Sequence, residues 1–409
     1  MTITETFKND KSLFIQTLGL CVFAAALPFS VSLIQGGAIL FILAGLWRAR
    51  KDNTLSLLPA EIKANPLLIP WLIYMAAGIA AAAAGIDPVR SFKALNSDLL
   101  TMVTFLGLAL FLRPAQRHTA FNVYTAAATA AAVMGIFQAL NGLAHGLDIR
   151  AHATNHPVRF GEIMVIALAL TLSRLFSGEE ISPRLKKALY AAAALMISAI
   201  ALSQTRGAYL GTAMVFVALF ILKPASRRAV LCVVAAAAVL GLSLSMLNPR
   251  LRYKVGSIFM GANSAVTQTQ APDQSIGTRL ILWRTGFKII KDYPVLGAGP
   301  ANVKKLFPVY CPPPYPENTV WGSLHNLYIH QTAERGLVGL AALLTLFAAM
   351  FITALRAHRA APSAVAAWAI AIMAPYYLMN VTEITFQHVH TSYAVMFALA
   401  AAITARKQN

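Results

Sequence analysis

The sequence predicts an all-α, polytopic membrane protein with about 12 transmembrane helices and one large loop on the outer side. Three observations carry this prediction. Of 409 residues, 58% are hydrophobic and only 12% are charged, a balance foreign to soluble domains of this length, and the mean hydropathy is +0.63. Apolar runs of the roughly 20 residues that a spanning helix needs recur along the chain, separated by short links that are basic or contain Pro and Gly. The cations, finally, are spread unequally over alternate links.

In chain order the runs lie near 13–27, 31–48, 66–84, 95–113, 119–142, 158–176, 187–203, 206–222, 228–246, 335–356, 363–380 and 389–405. The least clearly separated are the first pair and the pair flanking Arg206. The chain then divides into helices one to nine within 1–247, a loop with amphipathic helices at 248–334, and helices ten to twelve within 335–409. Alanine-rich stretches at 125–132, 191–194 and 234–238 read as scaffold, since small side chains let helices approach where lipid offers no hydrophobic drive. No repeat marks inverted transporter halves.

A net charge of +19 would suggest nucleic acid in a soluble chain, but here the cations mark topology. With the amino terminus inside, the inner links and tails carry Lys8, Lys11, Arg48, Arg50, Lys51, Arg113, Arg117, Arg227, Arg356 and Lys407, among others. The short outer links carry only Arg90, Lys93, Arg150, Arg159 and Arg206. This positive-inside bias places both termini in the cytoplasm and 248–334 outside. Nucleic acid is excluded as a partner, and membrane lipids are implied. Lys8 and Lys11 precede an apolar stretch without a small-residue cleavage site, so the first helix is expected to stay. Cys21, Cys232 and Cys311 are too few and scattered for a disulfide framework.

Ser203-Gln204-Thr205-Arg206-Gly207 separates two apolar runs with almost no linker. An arginine at bilayer depth costs roughly 2.5 to 3.5 kcal/mol on insertion scales, so it faces a wet cavity or a partner. Either Arg206 turns back to headgroups from a tight turn or it clamps an anion, for which guanidinium is suited and which Gly207 would let approach. Residues 276–292 read as an amphipathic helix. Arg279, Trp283, Gly286 and Ile290 share one face, while Arg284, Lys288 and Lys291 form a solvated or headgroup-facing stripe. Arg279 must therefore find an anionic partner.

Prolines between Cys311 and Pro316 forbid a helix, so 308–322 is expected to be extended or turning before a helix begins near Leu324. Helical spacing puts His325, Ile329, Thr332, Gly336 and Gly339 on one face, with His330 and Glu334 opposite and placed to stabilise each other. Alone, His325 reads more readily as a hydrogen-bonded structural residue than as a catalyst. In His152-Ala153-Thr154-Asn155-His156-Pro157-Val158-Arg159-Phe160-Gly161-Glu162, either Arg159 pairs with Glu162 or it contacts substrate. There is no HExxH, no cysteine–histidine ligand set and no phosphate-binding glycine loop. The site is read as metal-independent and without a cofactor.

Together these residues resemble the O-antigen ligase family. His325-Asn326, nine residues, then Gly336-Leu337-Val338-Gly339 is similar to that family's histidine motif. Thr205-Arg206-Gly207, Arg279 to Trp283, the 293–299 stretch Tyr-Pro-Val-Leu-Gly-Ala-Gly, and His156 to Gly161 accompany it in the family's order. The likeness covers roughly 150–345 by motif, and the amino-terminal third by hydropathy alone. It implies a multi-spanning, GT-C-like glycosyltransferase of the bacterial inner membrane. Such an enzyme moves glycan from undecaprenyl diphosphate onto lipid A core oligosaccharide on the periplasmic side, at a site carried by the 248–334 loop.

The family's essential arginines fall on Arg206 and Arg279 and its histidine on His325. Gly207, Trp283 and Asn326 stand beside them, and Arg159 and Arg284 compete as a further donor contact. Fixed cations would meet the charge developing on the leaving diphosphate, and the imidazole would take the proton of the acceptor hydroxyl. An O-antigen polymerase or a protein O-oligosaccharyltransferase would use the same donor, although the HN-x9-G-x2-G spacing favours the ligase over the polymerase. A lipid or anion transporter is a rival of another class. The clustering of the cations and His325 beside a long loop argues against it.

Overall fold

The computed structural model describes residues 10–223, 226–247 and 274–406, which contain helices and no strand. The first part of the expected outer loop, 248–273, lies outside the described residues, as do Lys8 and Lys407. Helices α1 (Lys11–Ala26) and α2 (Val31–Lys51) form a hairpin so close that a Cβ on Gly19 would stand 2.6 Å from the Phe41 nitrogen. A Cβ on Gly37 would stand 2.5 Å from that of Phe23. Small residues at such a crossing let backbones touch, which replaces the missing hydrophobic drive.

A short α3 (Leu58–Lys63) leads to α4 (Leu68–Ala84), and the chain bends by 76° between the 55–63 and 68–84 helical segments. Next come α5 (Pro88–Phe111), α6 (Pro114–Ala144), α7 (Pro157–Leu175) and α8 (Pro183–Ser203). Each begins on proline, whose missing N–H costs nothing at the first helical position. Helices α9 (Arg206–Leu222) and α10 (Arg227–Leu247) follow. After the break come α11 (Gln274–Asp292), α12 (Val303–Tyr310), α13 (Leu327–Ala360), α14 (Ala364–Ala371), α15 (Met373–Thr382) and α16 (Val389–Arg406).

Every apolar run coincides with a helix, the eleventh with the pair α14 and α15. Among the described residues, 6 helices are long and apolar enough to cross a membrane, or 7 if the bent pair is one span, against the 12 expected. Helices α1 and α9 are apolar but short, as is the apolar 389–405 part of α16. A helix of roughly 17 residues is about 25 Å long, less than the hydrocarbon thickness. Helix α7 is long enough but carries Arg159, Glu162 and Arg174.

Helices α7 and α16 form the centre. From Phe160 to Arg174 and from Tyr393 to Ala402 every residue is buried, as expected of helices apolar on nearly every side, with Glu162 and Arg174 as the buried charges of α7. Phe121, Trp368 and Phe397 stack edge-on between them, and the Trp368 indole donates to the Ile166 carbonyl at 3.1 Å. Phe137, Ile69, Leu33 and Val239 instead face outward, as on a lipid-facing surface.

Residues 274–324 hold a small core of their own, with Leu282, Ile289, Val303, Phe307 and Leu324 buried. This unit is fastened to the bundle at Gly336, where φ is 63° and ψ −169°, so α13 is broken inside its assigned length. The 294–299 strand of chain crosses there. Leu337 and Val338 donate to Pro294 and Val295, while Ala298 and Gly299 donate to Ala333 and Glu334. A Cβ on Gly336 would fall on the Val295 carbonyl, so only glycine satisfies both the backbone and the close approach. The expected tenth span, 335–356, is the part of α13 beyond this break.

Candidate active site

At one end of the bundle, α8 stops at Ser203 because Gln204 turns left-handed at φ 51°, and α9 begins at Arg206. Arg150 holds this junction. Its Nε donates to the Ser203 carbonyl at 2.8 Å, and Nη2 donates to Thr205 Oγ1 at 3.1 Å. A cation thus meets the carbonyl end of α8, where helix dipoles favour it. The start of α7 is tied in by the Thr205 hydroxyl, which donates to Pro157 O at 3.2 Å. Gly207 carries the same junction towards α15, where a Cβ would stand 2.9 Å from Thr382 Oγ1.

Helix α11 shows the expected cationic face, but its packed face is shifted from the expected one, with Arg279, Trp283 and Ile290 only half-buried at its edge. Leu282, Gly286 and Ile289 are buried, and a Cβ on Gly286 would touch Ile329 at 2.6 Å. Arg284, Lys288 and Lys291 are exposed on the other side. Arg279 sits at the edge of the packed face, with Trp283 half-buried one turn on, and its Nη2 donates to Glu383 Oε1 at 3.2 Å.

The expectation that His325 lies on the face of a helix is corrected. Asn326 is the N-cap of α13, its side chain accepting from Ile329 N at 3.1 Å, so the helix starts at Leu327 rather than near Leu324. His325 precedes it in a left-handed conformation, φ 46°. That turn swings the imidazole towards the loop after α15, where Nδ1 lies 2.8 Å from Glu383 Oε2. Leu327 N donates to the Glu383 carbonyl at 3.1 Å, fixing the two loops together. The edge of Trp321 rests on the imidazole, ring centres 5.1 Å apart.

Glu383 is therefore shared between His325 and Arg279. Its side chain is 7% exposed, those of His325 and Arg279 25% and 24%. Burial by itself would raise the Glu383 carboxyl, but the His325 hydrogen bond and the charges of His325 and Arg279 outweigh it and hold the group below the usual glutamate range. A buried carboxylate oriented on an imidazole fixes its tautomer. With the Nδ1 proton donated to Glu383, Nε2 is left as the proton acceptor.

Other expected residues divide. His156, the N-cap of α7, lies within electrostatic reach of Arg150, Glu383, Arg159 and His325. Arg159 is exposed beside it and does not pair with Glu162. Glu162 is instead fully buried, accepting from Thr385 at 2.7 Å and lying 3.4 Å from His388, because one turn into α7 faces the centre of the bundle. The structure joins His325 and Arg279 through Glu383, with Asn326 and Trp283 beside them, Gly207 against Thr382 and Arg159 near His156. It places Arg206 at the start of α9 next to Gly207 and leaves Arg284 on the outer face of α11. Arg150 and Glu383 were missed by sequence reasoning. The one signal for Glu383 was a lone carboxylate between the last two apolar runs, where an ionisable group needs a partner.

Residues 191–344 match the family described as O-antigen ligase. The match covers Arg206, Arg279, His325 and Gly336 but stops short of Arg150 and Glu383 on either side. No curated protein matches the chain.

Proposed function

We propose, on the premise that the chain is an O-antigen ligase family member over residues 191–344, that it transfers glycan from undecaprenyl diphosphate to lipid A core oligosaccharide. We read all twelve helical runs as spanning in a GT-C-like arrangement, with both termini cytoplasmic and the site facing the periplasm. The observation that carries the reading is the 2.8 Å contact from His325 to Glu383, with Arg279 on the other carboxylate oxygen.

In the proposed reaction the acceptor hydroxyl gives its proton to His325 Nε2 while its oxygen bonds to the anomeric carbon on the face opposite the diphosphate. The bond from that carbon to the diphosphate oxygen breaks, and the electron pair leaves on the diphosphate. Arg206 and Arg279, with Arg150 and Arg159 nearby, stabilise the charge that develops there. Fixed cations act without reorganising, which is why such groups are worth about 10²–10³ in rate each. Glu383 keeps the imidazole in the productive tautomer. The donor carries its own activation energy, so the reaction needs neither a metal nor a nucleotide.

The test is transfer by purified protein from undecaprenyl-diphosphate glycan to lipid A core, with EDTA present. Glycosylated core is the expected product. Elongated lipid-linked glycan without core product would make the protein a polymerase, and modification of a supplied pilin-like acceptor would make it a protein glycosyltransferase. Vectorial movement of lipid with no glycan product would favour transport.

A further inference from the structure

A cavity of about 270 Å³ lies between α5, the Pro300–Ala301 turn, α13 and the loop carrying Gln387, with Asp98, His330, Glu334, Arg335 and Gln387 as its polar wall. It adjoins the site just described. Ile384, next to Glu383, and Gly322, next to Trp321, both line it, yet none of the diphosphate-facing arginines does.

Three members of the wall are almost wholly buried, His330 and Glu334 at 3% and Arg335 at 2%. Each has a buried polar atom without a hydrogen-bond partner among the described residues: His330 Nδ1, Glu334 Oε1, and Nε and Nη1 of Arg335. Glu334 Oε1 stands 3.5 Å from His330 Nε2, a charge contact outside hydrogen-bond geometry. Those atoms are closed off from the cavity itself; what faces it is the remainder of these side chains together with Asp98 and Gln387, a wall that mixes hydrogen-bond donors and acceptors beside the reacting groups.

The chemistry of the wall selects what enters. Two carboxylates stand against one guanidinium, and Asp98 already pairs with Arg335 Nη2, so a diphosphate would be repelled. Donors and acceptors are interspersed through imidazole, amide, carboxylate and guanidinium. A hydroxyl both donates and accepts, and a ring bearing several of them matches such a lining. We infer that this cavity is a carbohydrate subsite that takes a neutral, hydroxyl-bearing sugar unit of one of the two substrates, apart from the cationic diphosphate site. The inference rests on the glycosyl-transfer reading.

Two variants test it without disturbing the buried ion pair: Ala94→Phe, which fills the cavity from α5, and Gln387→Ala, which removes one wall group. Binding to each in detergent is measured for undecaprenyl-diphosphate glycan, delipidated core oligosaccharide and bare undecaprenyl diphosphate, with thermal unfolding as the control for folding. Loss of hydrogen bonds to a bound sugar should weaken one sugar-bearing probe by about tenfold, with bare undecaprenyl diphosphate unchanged. Weakening of the glycan probe alone assigns the cavity to the donor, and of the core oligosaccharide alone to the acceptor. Equal weakening of all three, no change in any, or no sugar binding by wild type overturns the inference. Transfer by wild type with unaltered sugar binding in both variants removes the subsite and leaves the ligase reading. Cavity-dependent sugar binding without any transfer does the reverse.

Discussion

Helix α13 and the turn before it present the same side-chain types twice. At the turn, His325 and Arg279 share Glu383, with both outer partners about a quarter exposed. About two turns into the helix, Arg335 pairs with Asp98 and lies over the Tyr74 ring at 4.6 Å, while His330 stands by Glu334, all nearly sealed. The cations of the first group reach solvent, so on the proposed reading they can exchange partners with a charged substrate. In the second, Arg335 is committed to Asp98, since taking either charge from its partner would leave the other buried and uncompensated, so this cluster is left to bind neutral groups only. Composition does not separate a solvent-reaching ionic cluster from a sealed one. Access does.

The comparison can be broken most decisively at the two basic residues. Changing His325→Ala should lower transfer by two to four powers of ten, the usual worth of a general base, with only a modest loss of stability because Arg279 still faces Glu383. Changing Arg335→Met should instead destabilise the fold by about 3–5 kcal/mol through the orphaned Asp98, read as a lowered unfolding midpoint. If Arg335→Met retained wild-type stability and lost activity, the distinction between the clusters would fail.

A smaller effect is expected at Glu383, which acts through His325. Glu383→Gln should cost about 10–100-fold in kcat, as for other residues that orient a reactive group. It should cost little more when His325 is already Ala, because the two act as a unit. The carboxyl also links stability to pH. Its value in the folded protein lies below the usual 4.5, so its ionised form stabilises the fold above that pH, and the contribution disappears as pH falls through the folded value. Unfolding midpoints of wild type should drop more steeply than those of Glu383→Gln as the pH is lowered through the usual glutamate range and below it. Parallel curves would mean that the pair contributes nothing.

The smallest effects sharpen the choice between Arg159 and Arg284. Arg159→Ala, beside the His156–Glu383 cluster, should raise the donor KM several-fold through a lost charge-assisted contact. Arg284→Ala, on the solvated face, should stay within about twofold, since exposed charges are worth little. A reversed order would place the donor on the outer face of α11.

Where periodicity or a single residue type carries the information, the chain could be read directly. The cationic face of α11 follows from 100° per residue, Arg206 stands out because a cation interrupts apolar sequence, and the positions of the helices follow from the apolar runs. His325 was found but misplaced, since counting helical positions back past the Asn326 cap assumes a helix that has not yet begun. Local spacing left open a pair between Arg159 and Glu162, whose true partners lie more than 220 residues away.

By itself, then, the sequence determined an all-helical chain with several membrane-suited helices and singled out Arg206, Arg279 and His325 as candidates for a cationic site. Local spacing and hydropathy are properties of neighbouring residues, and both survive in an isolated segment. Only the tertiary structure decided that Glu383, 58 residues from His325, joins it to Arg279, that Asp98 neutralises Arg335, and that 294–299 crosses α13 at Gly336. A buried charge or an interrupted helix requires a partner, but the requirement does not say where in the chain that partner lies. Its position is set by which loops the packed helices bring to the same end.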